Sequence, residues 1–381
     1  MLRLLGGLAW GHGGIPAGEG VLWDDEGQRT VVTSHGLLFE DGGWDWVCEE
    51  VVGYAFLTAT AQTGAGWLLG STDGVLHSED GCDWQAIEAL EGVLIGSLLT
   101  TPDGGVWAVT ESGVWQGEGS DLEFVSLPDG AVLRSGVLTD DGGTLYVLGF
   151  LGATPTVWVG AVADSTLTWT GEATLPVDVG RLVALGVDPG GRGYGRFPAA
   201  SGADQLLRFD AEGGVAVLRS TEAGISAFLA TDTALYASVT GEGTLASLDD
   251  GATWSEPVGP PLTCLLLDGD VRIGCPADGS GAVWMTSDAA AVNPADWTWT
   301  EGLAFSDVAG PRCVDAATAE VCDPLWETVS VELGVSEGDT GSAEAVAPTG
   351  CTSAPGGWGW LAGMVSLLGL LRRRRTGRAL T

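Results

Sequence analysis

The sequence predicts an all-β fold, a β-propeller of about seven blades with four antiparallel strands each. Three observations predict it. Glycine makes up 62 of 381 residues, yet 45% of the chain is hydrophobic, and a disordered glycine-rich chain would lack that apolar content. A turn rich in Asp and Gly, followed by an aromatic or apolar residue, recurs along the chain. Its anchors at 46, 84, 124, 169, 217, 254 and 299 are 37 to 48 residues apart, and four strands of about 5–6 residues with their turns need roughly 40.

Residues 1–19 form an N-terminal arm or a short signal. Met1, Leu2 and Arg3 precede an apolar run from Leu4 to Trp10, at the lower limit of the ~7–15 residues of a signal's apolar region. A short ordered arm fits the same residues, and both readings stay open. Residues 20–334 carry the blades. Strand pairs such as Gly66 to Ser78 and Gly105 to Gly117 alternate apolar with small or polar residues, the period of half-buried strands. Residues 335–350 are small, acidic and apolar-poor, a composition that stays disordered.

Residues 351–381 form a tail in three parts: Cys351, an uncharged run from Gly356 to Leu371, and the basic cluster Arg372, Arg373, Arg374 and Arg375. The 16-residue run spans ~24 Å as a helix, short for a ~30 Å hydrocarbon core but within reach of snorkelling arginines. Basic residues beyond the span stay cytoplasmic, which puts the acidic body outside.

Charge and cysteine usage narrow the partners. With ten basic and 51 acidic residues, the body to residue 350 carries a formal charge of −41, and the chain has no Lys. Such a surface repels phosphate backbones, so nucleic acid is excluded as a partner. Six cysteines lie in the body: Cys48, Cys82, Cys264, Cys275, Cys313 and Cys322. Their even number fits disulfides and an oxidising compartment, with Cys351 left over. Cys264 and Cys275 flank an expected hairpin. Cys313 and Cys322 are close in sequence, which leaves Cys48 to pair with Cys82. No spacing suits zinc, and no cofactor is implied.

The repeat has a family likeness. Ser247, Asp249, Gly251, Thr253 and Trp254 in SLDDGATW resemble the Asp-box, or BNR repeat. In HSEDGCDW, Glu79, Gly81, Asp83 and Trp84 take the corresponding places with His77 instead of Ser; in FEDGGWDW they are Gly43, Asp45 and Trp46. The Asp carboxylate accepts turn N–H bonds, Gly supplies positive φ, and Trp buries a large area. These are scaffold residues; in Asp-box families the turns lie at the blade periphery, and calcium binding is the lesser alternative.

The tail resembles the myxobacterial sorting signals called MYXO-CTERM. The resemblance implies recognition by an intramembrane sorting protease, removal of the helix, and a surface anchor through Cys351 in a Gram-negative bacterium. An uncut membrane anchor is the alternative. GHGGIP (Gly11 to Pro16), WVCEEVVGY (Trp46 to Tyr54), GCDW (Gly81 to Trp84) and CVDAATAEVCDPLW (Cys313 to Trp326) further resemble surface proteins carrying degenerate BNR repeats before such tails. That likeness implies a fold and an address, with no activity attached.

Chemistry is not visible. Sialidases share Asp-boxes, but their Phe/Tyr-Arg-Ile-Pro motif is absent, and Arg196-Phe197-Pro198 has the wrong order. His12, His35 and His77 are the only histidines, and GGRGYG lacks the Lys of a phosphate loop. The expectation is a non-enzymatic surface module for a protein or glycan ligand, with no catalytic residue assigned; a secreted glycoside hydrolase is the alternative.

Overall fold

The computed structural model describes residues 16–335 apart from 24–26, 53–56, 177–181, 199–202, 287–289 and 314–316. Blade 1 contains β1 (Gly18–Trp23), β2 (Arg29–Thr33), β3 (Gly36–Glu40) and β4 (Trp44–Val47). Blade 2 contains β5 (Leu57–Thr63), β6 (Gly66–Ser71), β7 (Val75–Ser78) and β8 (Gln85–Ala86). Blade 3 follows with β9 (Ile95–Thr100), β10 (Val106–Thr110), β11 (Gly113–Glu118) and β12 (Asp121–Ser126). Blade 4 has the longest strands, β13 (Ala131–Leu138), β14 (Thr144–Leu151), β15 (Thr154–Ala163) and β16 (Thr166–Thr174). Blade 5 has β17 (Val183–Val187), β18 (Gly193–Pro198), β19 (Asp204–Phe209) and β20 (Val215–Thr221). Blade 6 has only β21 (Ile225–Ala230), β22 (Leu235–Val239) and β23 (Gly243–Ser247), and blade 7 has β24 (Leu262–Asp268), β25 (Val271–Pro276), β26 (Val283–Thr286) and β27 (Thr300–Leu303).

Within each blade the consecutive strands pair antiparallel. The first strands β1, β5, β9, β13, β17, β21 and β24 adjoin one another in that order, and β24 returns to β1. This closes a seven-bladed propeller. Six of the seven anchors fall on or beside the outermost strand of their own blade, and Trp254 follows β23 in the segment where Ser255 N donates to Ala246 O, which is why their spacing counted blades correctly.

The core is divided in the same way. Seven apolar clusters lie between successive blades rather than in one central mass. Trp107 and Trp158, for example, are both buried between blades 3 and 4. A sheet buried on both faces needs apolar residues on both sides, which accounts for runs such as TLYVLGFL in β14.

Every innermost strand carries a β-bulge in its first half. Glu19, Thr58, Gly96, Arg134, Leu185, Ser226 and Thr263 are the residues passed over in the pairing with the second strand. A bulge sharpens twist and leaves backbone groups unpaired. Neighbouring blades supply partners for several of these groups. Ser97 Oγ accepts from Gly136 N at 3.0 Å, Ser135 Oγ from Ala184 N at 3.0 Å, Asp204 Oδ2 from Ile225 N at 2.7 Å and Ser238 Oγ from Leu262 N at 2.7 Å. Thr263 Oγ1 donates to Gly18 O and closes the seam between blades 7 and 1.

The C-terminal part of the body departs from the all-β expectation. After blade 7, β28 (Val308–Pro311) runs parallel to β4 as a fifth strand on the outside of blade 1, and α1 (Ala317–Glu332) follows. The helix buries Ala319, Cys322 and Val329 on one side, a spacing that brings them onto one helical face.

The disulfides require a correction to the expected pairing. Cys264–Cys275 joins β24 to β25, as the hairpin spacing predicts. The others are Cys48–Cys322 and Cys82–Cys313, in place of Cys48–Cys82 and Cys313–Cys322. The first turns of α1 separate Cys322 from Cys313 and carry it to Cys48 beyond β4. Cys313, just past β28, meets the turn of blade 2, where its Sγ lies 3.8 Å from Gly81 O. Among the described residues no helix is long and apolar enough to cross a membrane. The expected N-terminal signal and the tail, with Cys351 and Arg372 to Arg375, lie outside those residues.

Candidate binding channel

The innermost strands surround a channel with two adjoining cavities. One, of about 270 Å³, is lined by small residues of β5, β9, β13 and β17, including Thr58, Ser97, Ser135 and Ala184. The other, of about 210 Å³, is lined by the later residues of β1, β5 and β9, including Trp23, Gln62 and Thr100. Thr60 and Leu98 border both. Among the described residues no Asp, Glu, Arg, His or Tyr lines either cavity. Glu19 belongs to the bulged end of β1, where surrounding protein raises its carboxyl above the ordinary value.

Polar groups in the channel differ in their commitments. Ser97 and Ser135 are 3.1 Å apart and also serve the seams between blades. Thr58 Oγ1 and Gln62 Oε1 are buried with no hydrogen-bond partner among the described residues. Both lie on β5, at alternate positions with Thr60 between them.

Groups suited to catalysis are dispersed elsewhere. Tyr146, Tyr194 and Tyr236 are buried. Burial, with the charges of Asp210, Glu212 and Asp188, pushes Tyr146 up to about 12, and burial raises Tyr194 and Tyr236 as well. A phenol held neutral is a poor nucleophile. Among the described residues no three arginines converge: Arg29 pairs with Glu40 at 2.7 Å, Arg192 with Asp188 at 2.6 Å and, together with Arg208, with Asp250, Arg196 pairs with Asp204 at 3.5 Å, and buried Arg272 stacks on Trp297. Among the described residues no group of three or more His, Cys, Asp or Glu is placed to hold a metal.

His35 comes nearest to a catalytic arrangement. Its Nδ1 lies 3.0 Å from Ser34 Oγ and its Nε2 lies 3.1 Å from Glu332 Oε2. Ser34 Oγ also accepts from Ala17 N at 3.0 Å, and neither Ser34 nor His35 lines a channel cavity. The contact ties the end of α1 to the turn between β2 and β3.

The Asp-rich turns are peripheral, and the geometry gives each copy its own register. In blade 6, Gly251 N donates to Ser247 Oγ at 2.8 Å, Thr253 N to Asp249 Oδ1 at 2.8 Å, and Trp254 Nε1 to Gly251 O at 3.2 Å. In blade 2, Gly81 N donates to Ser78 Oγ at 2.9 Å, Asp83 N to Asp80 Oδ1 at 3.0 Å, and Trp84 Nε1 to Gly81 O at 3.2 Å. Ser78 and Asp80 therefore take the parts that alignment from the Trp assigns to His77 and Glu79. The turn is one residue shorter, and Asp83 contributes its amide.

The blade 1 copy differs again. Asp41 N donates to Gly43 O at 3.0 Å, while Asp45 and Trp46 lie within β4. Trp46 is buried and donates to His35 O at 2.7 Å. Burial raises the Asp45 carboxyl, with Arg312 opposing, whereas Thr253 and Ser247 lower Asp249. Sequence reasoning missed the channel residues Trp23, Thr58, Thr60 and Gln62; the last three had a signal only in the alternation of LTATAQT, and Trp23 had none to set it apart.

A third cavity, of about 350 Å³, lies outside the ring between the blade 2 turn and α1, lined by Glu50, Cys82, Trp84 and Val321.

No family model matches the chain, and no curated protein matches it in sequence. Solved structures similar to it include one of a nidogen/laminin complex, at 12% identity and a TM-score of 0.41, covering 60% of this chain and 91% of that one. The Dos1 propeller is similar at 9% identity and a TM-score of 0.47, over 70% of this chain and 90% of the other. A gluconolactonase from Xanthomonas campestris is similar at 19% identity and a TM-score of 0.40, over 58% and 83%. The functions of these proteins are varied, and likeness at this level does not choose among them.

Proposed function

We propose that the protein is an exported, surface-held propeller that binds a ligand at its central channel and catalyses no reaction. The carrying observation is a channel whose described residues are neutral, with uncommitted polar groups and no converging acids among them. Propellers present their ligands with such central openings and the loops around them. Three disulfides support an oxidising location. The acidic body and the Cys–apolar–Arg order of residues 351–375 support export and anchoring by a sorting tail. The Asp-rich turns of blades 2 and 6 support the Asp-box reading as a hairpin device on the scaffold.

Two experiments test this reading. Screening the purified protein on a glycan and protein array, with reducing-sugar detection, should give retention without product. Turnover abolished by a single carboxylate substitution would establish the hydrolase instead. Fractionation of cells carrying Cys351→Ala should show lost surface retention; unchanged retention and unchanged tail processing would remove the sorting proposal.

A further inference from the structure

We infer that the channel end formed by the later residues of β1, β5 and β9 binds a neutral polyhydroxylated ring, a free or chain-terminal sugar. The inference rests on the binding reading above and names its ligand class. The cavity of about 210 Å³ corresponds to roughly seven water volumes, the scale of one sugar ring. Trp23 supplies an aromatic wall for the C–H face of such a ring, and its other contacts are with the core between blades 7 and 1, which fixes it.

Gln62 carries the argument. It is only 8% exposed, it lines the cavity, and its Oε1 has no partner among the described residues. That oxygen is shut off from water as it stands, so turning the amide into the cavity to meet a ligand hydroxyl gains a hydrogen bond that an apolar side chain of similar size could not make. An amide both donates and accepts, and so matches adjacent hydroxyls that also do both. Thr60 and Thr100 add hydroxyls on the same cavity. Among the described residues no charged side chain lines it, so a carboxylate or phosphate would meet no counter-charge from them within a body of formal charge −41. A cation would lack oxygen anions to bind it.

The test is calorimetric titration of the full chain with glucose, galactose, mannose and N-acetylglucosamine, alongside glucuronate and glucose 6-phosphate. At least one neutral sugar should bind at millimolar concentration or below, and its charged counterparts about tenfold or more weakly. Gln62→Leu should weaken binding about tenfold or more with an unchanged or raised Tm, since it removes the unsatisfied amide. Trp23→Leu, checked for folding in the same way, should also lose affinity. Absence of neutral-sugar binding by the folded parent, equal binding of the charged sugars, or unchanged affinity in folded Gln62→Leu would each overturn the inference. Array binding that survives Gln62→Leu would sink this site and leave the binding reading standing; a parent that retains nothing would sink both.

Discussion

His35 shows how a turn position can acquire a structural task. Thr33 Oγ1 accepts from His35 N and donates to Gly36 O, and the same hydroxyl pattern recurs at Thr63 with Gly66 and Thr110 with Gly113. Ala65 and Ser112 occupy the place of His35 in those turns, so the histidine is an addition to a common hairpin. Asp80 belongs to another local device. Burial opposes its ionisation, but the amides of Asp83 and Cys82 and the Ser78 hydroxyl outweigh it, leaving the carboxyl below its ordinary value. A carboxyl lowered on folding stabilises above its unfolded value of ~3.9, and that contribution is lost as pH falls through the folded value. Asp80 is exposed, so solvent screens the gain: Asp80→Asn should cost less than about 1 kcal/mol at neutral pH, and the gap from the parent should narrow below pH ~4. Denaturant melts at several pH values would show a constant gap if the turn were irrelevant. The sequence made the turn visible but not its register, because a one-residue deletion between Asp80 and Trp84 is compensated locally.

Bulges and the C-terminal segment are the elements that sequence periodicity conceals. A bulge shifts the apolar alternation of its strand by one residue, as in β13, and Gly96 by itself looks like any strand glycine. In the fold, a Cβ there would collide with the Arg134 carbonyl of the next blade. Gly96→Ala should destabilise by about 1–3 kcal/mol, the range for overpacking, and a thermal melt within error of the parent would contradict that close seam. The helix α1 was legible in principle from Ala319, Cys322 and Val329, but Pro324 in its middle and the surrounding short repeats masked the period. Its disulfide encloses 274 residues of sequence separation. Replacing Cys48 and Cys322 together by Ser should cost about 2–5 kcal/mol, read by denaturant unfolding under non-reducing conditions; an unchanged midpoint would mean that β28 and the packing of α1 suffice.

For the whole molecule, the blade count was legible because each outermost strand announces itself with a turn and a large side chain at a near-constant interval. The channel was not, since its two cavities are lined from five strands spread along the chain, β1, β5, β9, β13 and β17, and the residues are individually ordinary. Charge acts at this scale too. A body of formal charge −41 repels itself, and the repulsion extends ~30 Å at about 0.01 M salt but ~8 Å at about 0.15 M. The Tm should rise between those conditions, and a flat or falling Tm in scanning calorimetry would show that local ion pairs such as Arg192 with Asp188 dominate instead.

The two long disulfides also impose an order in time. Synthesis delivers Cys48 and Cys82 well before their native partners Cys322 and Cys313, which follow the last blade. The first oxidation open to the emerging chain is thus Cys48 with Cys82, the same pair that proximity in sequence suggests. Once formed, that early bond has to be exchanged before Cys322 and Cys313 can take their native partners, so disulfide isomerisation becomes part of maturation, and a chain that stops short of its final segment stays locked in the early pairing.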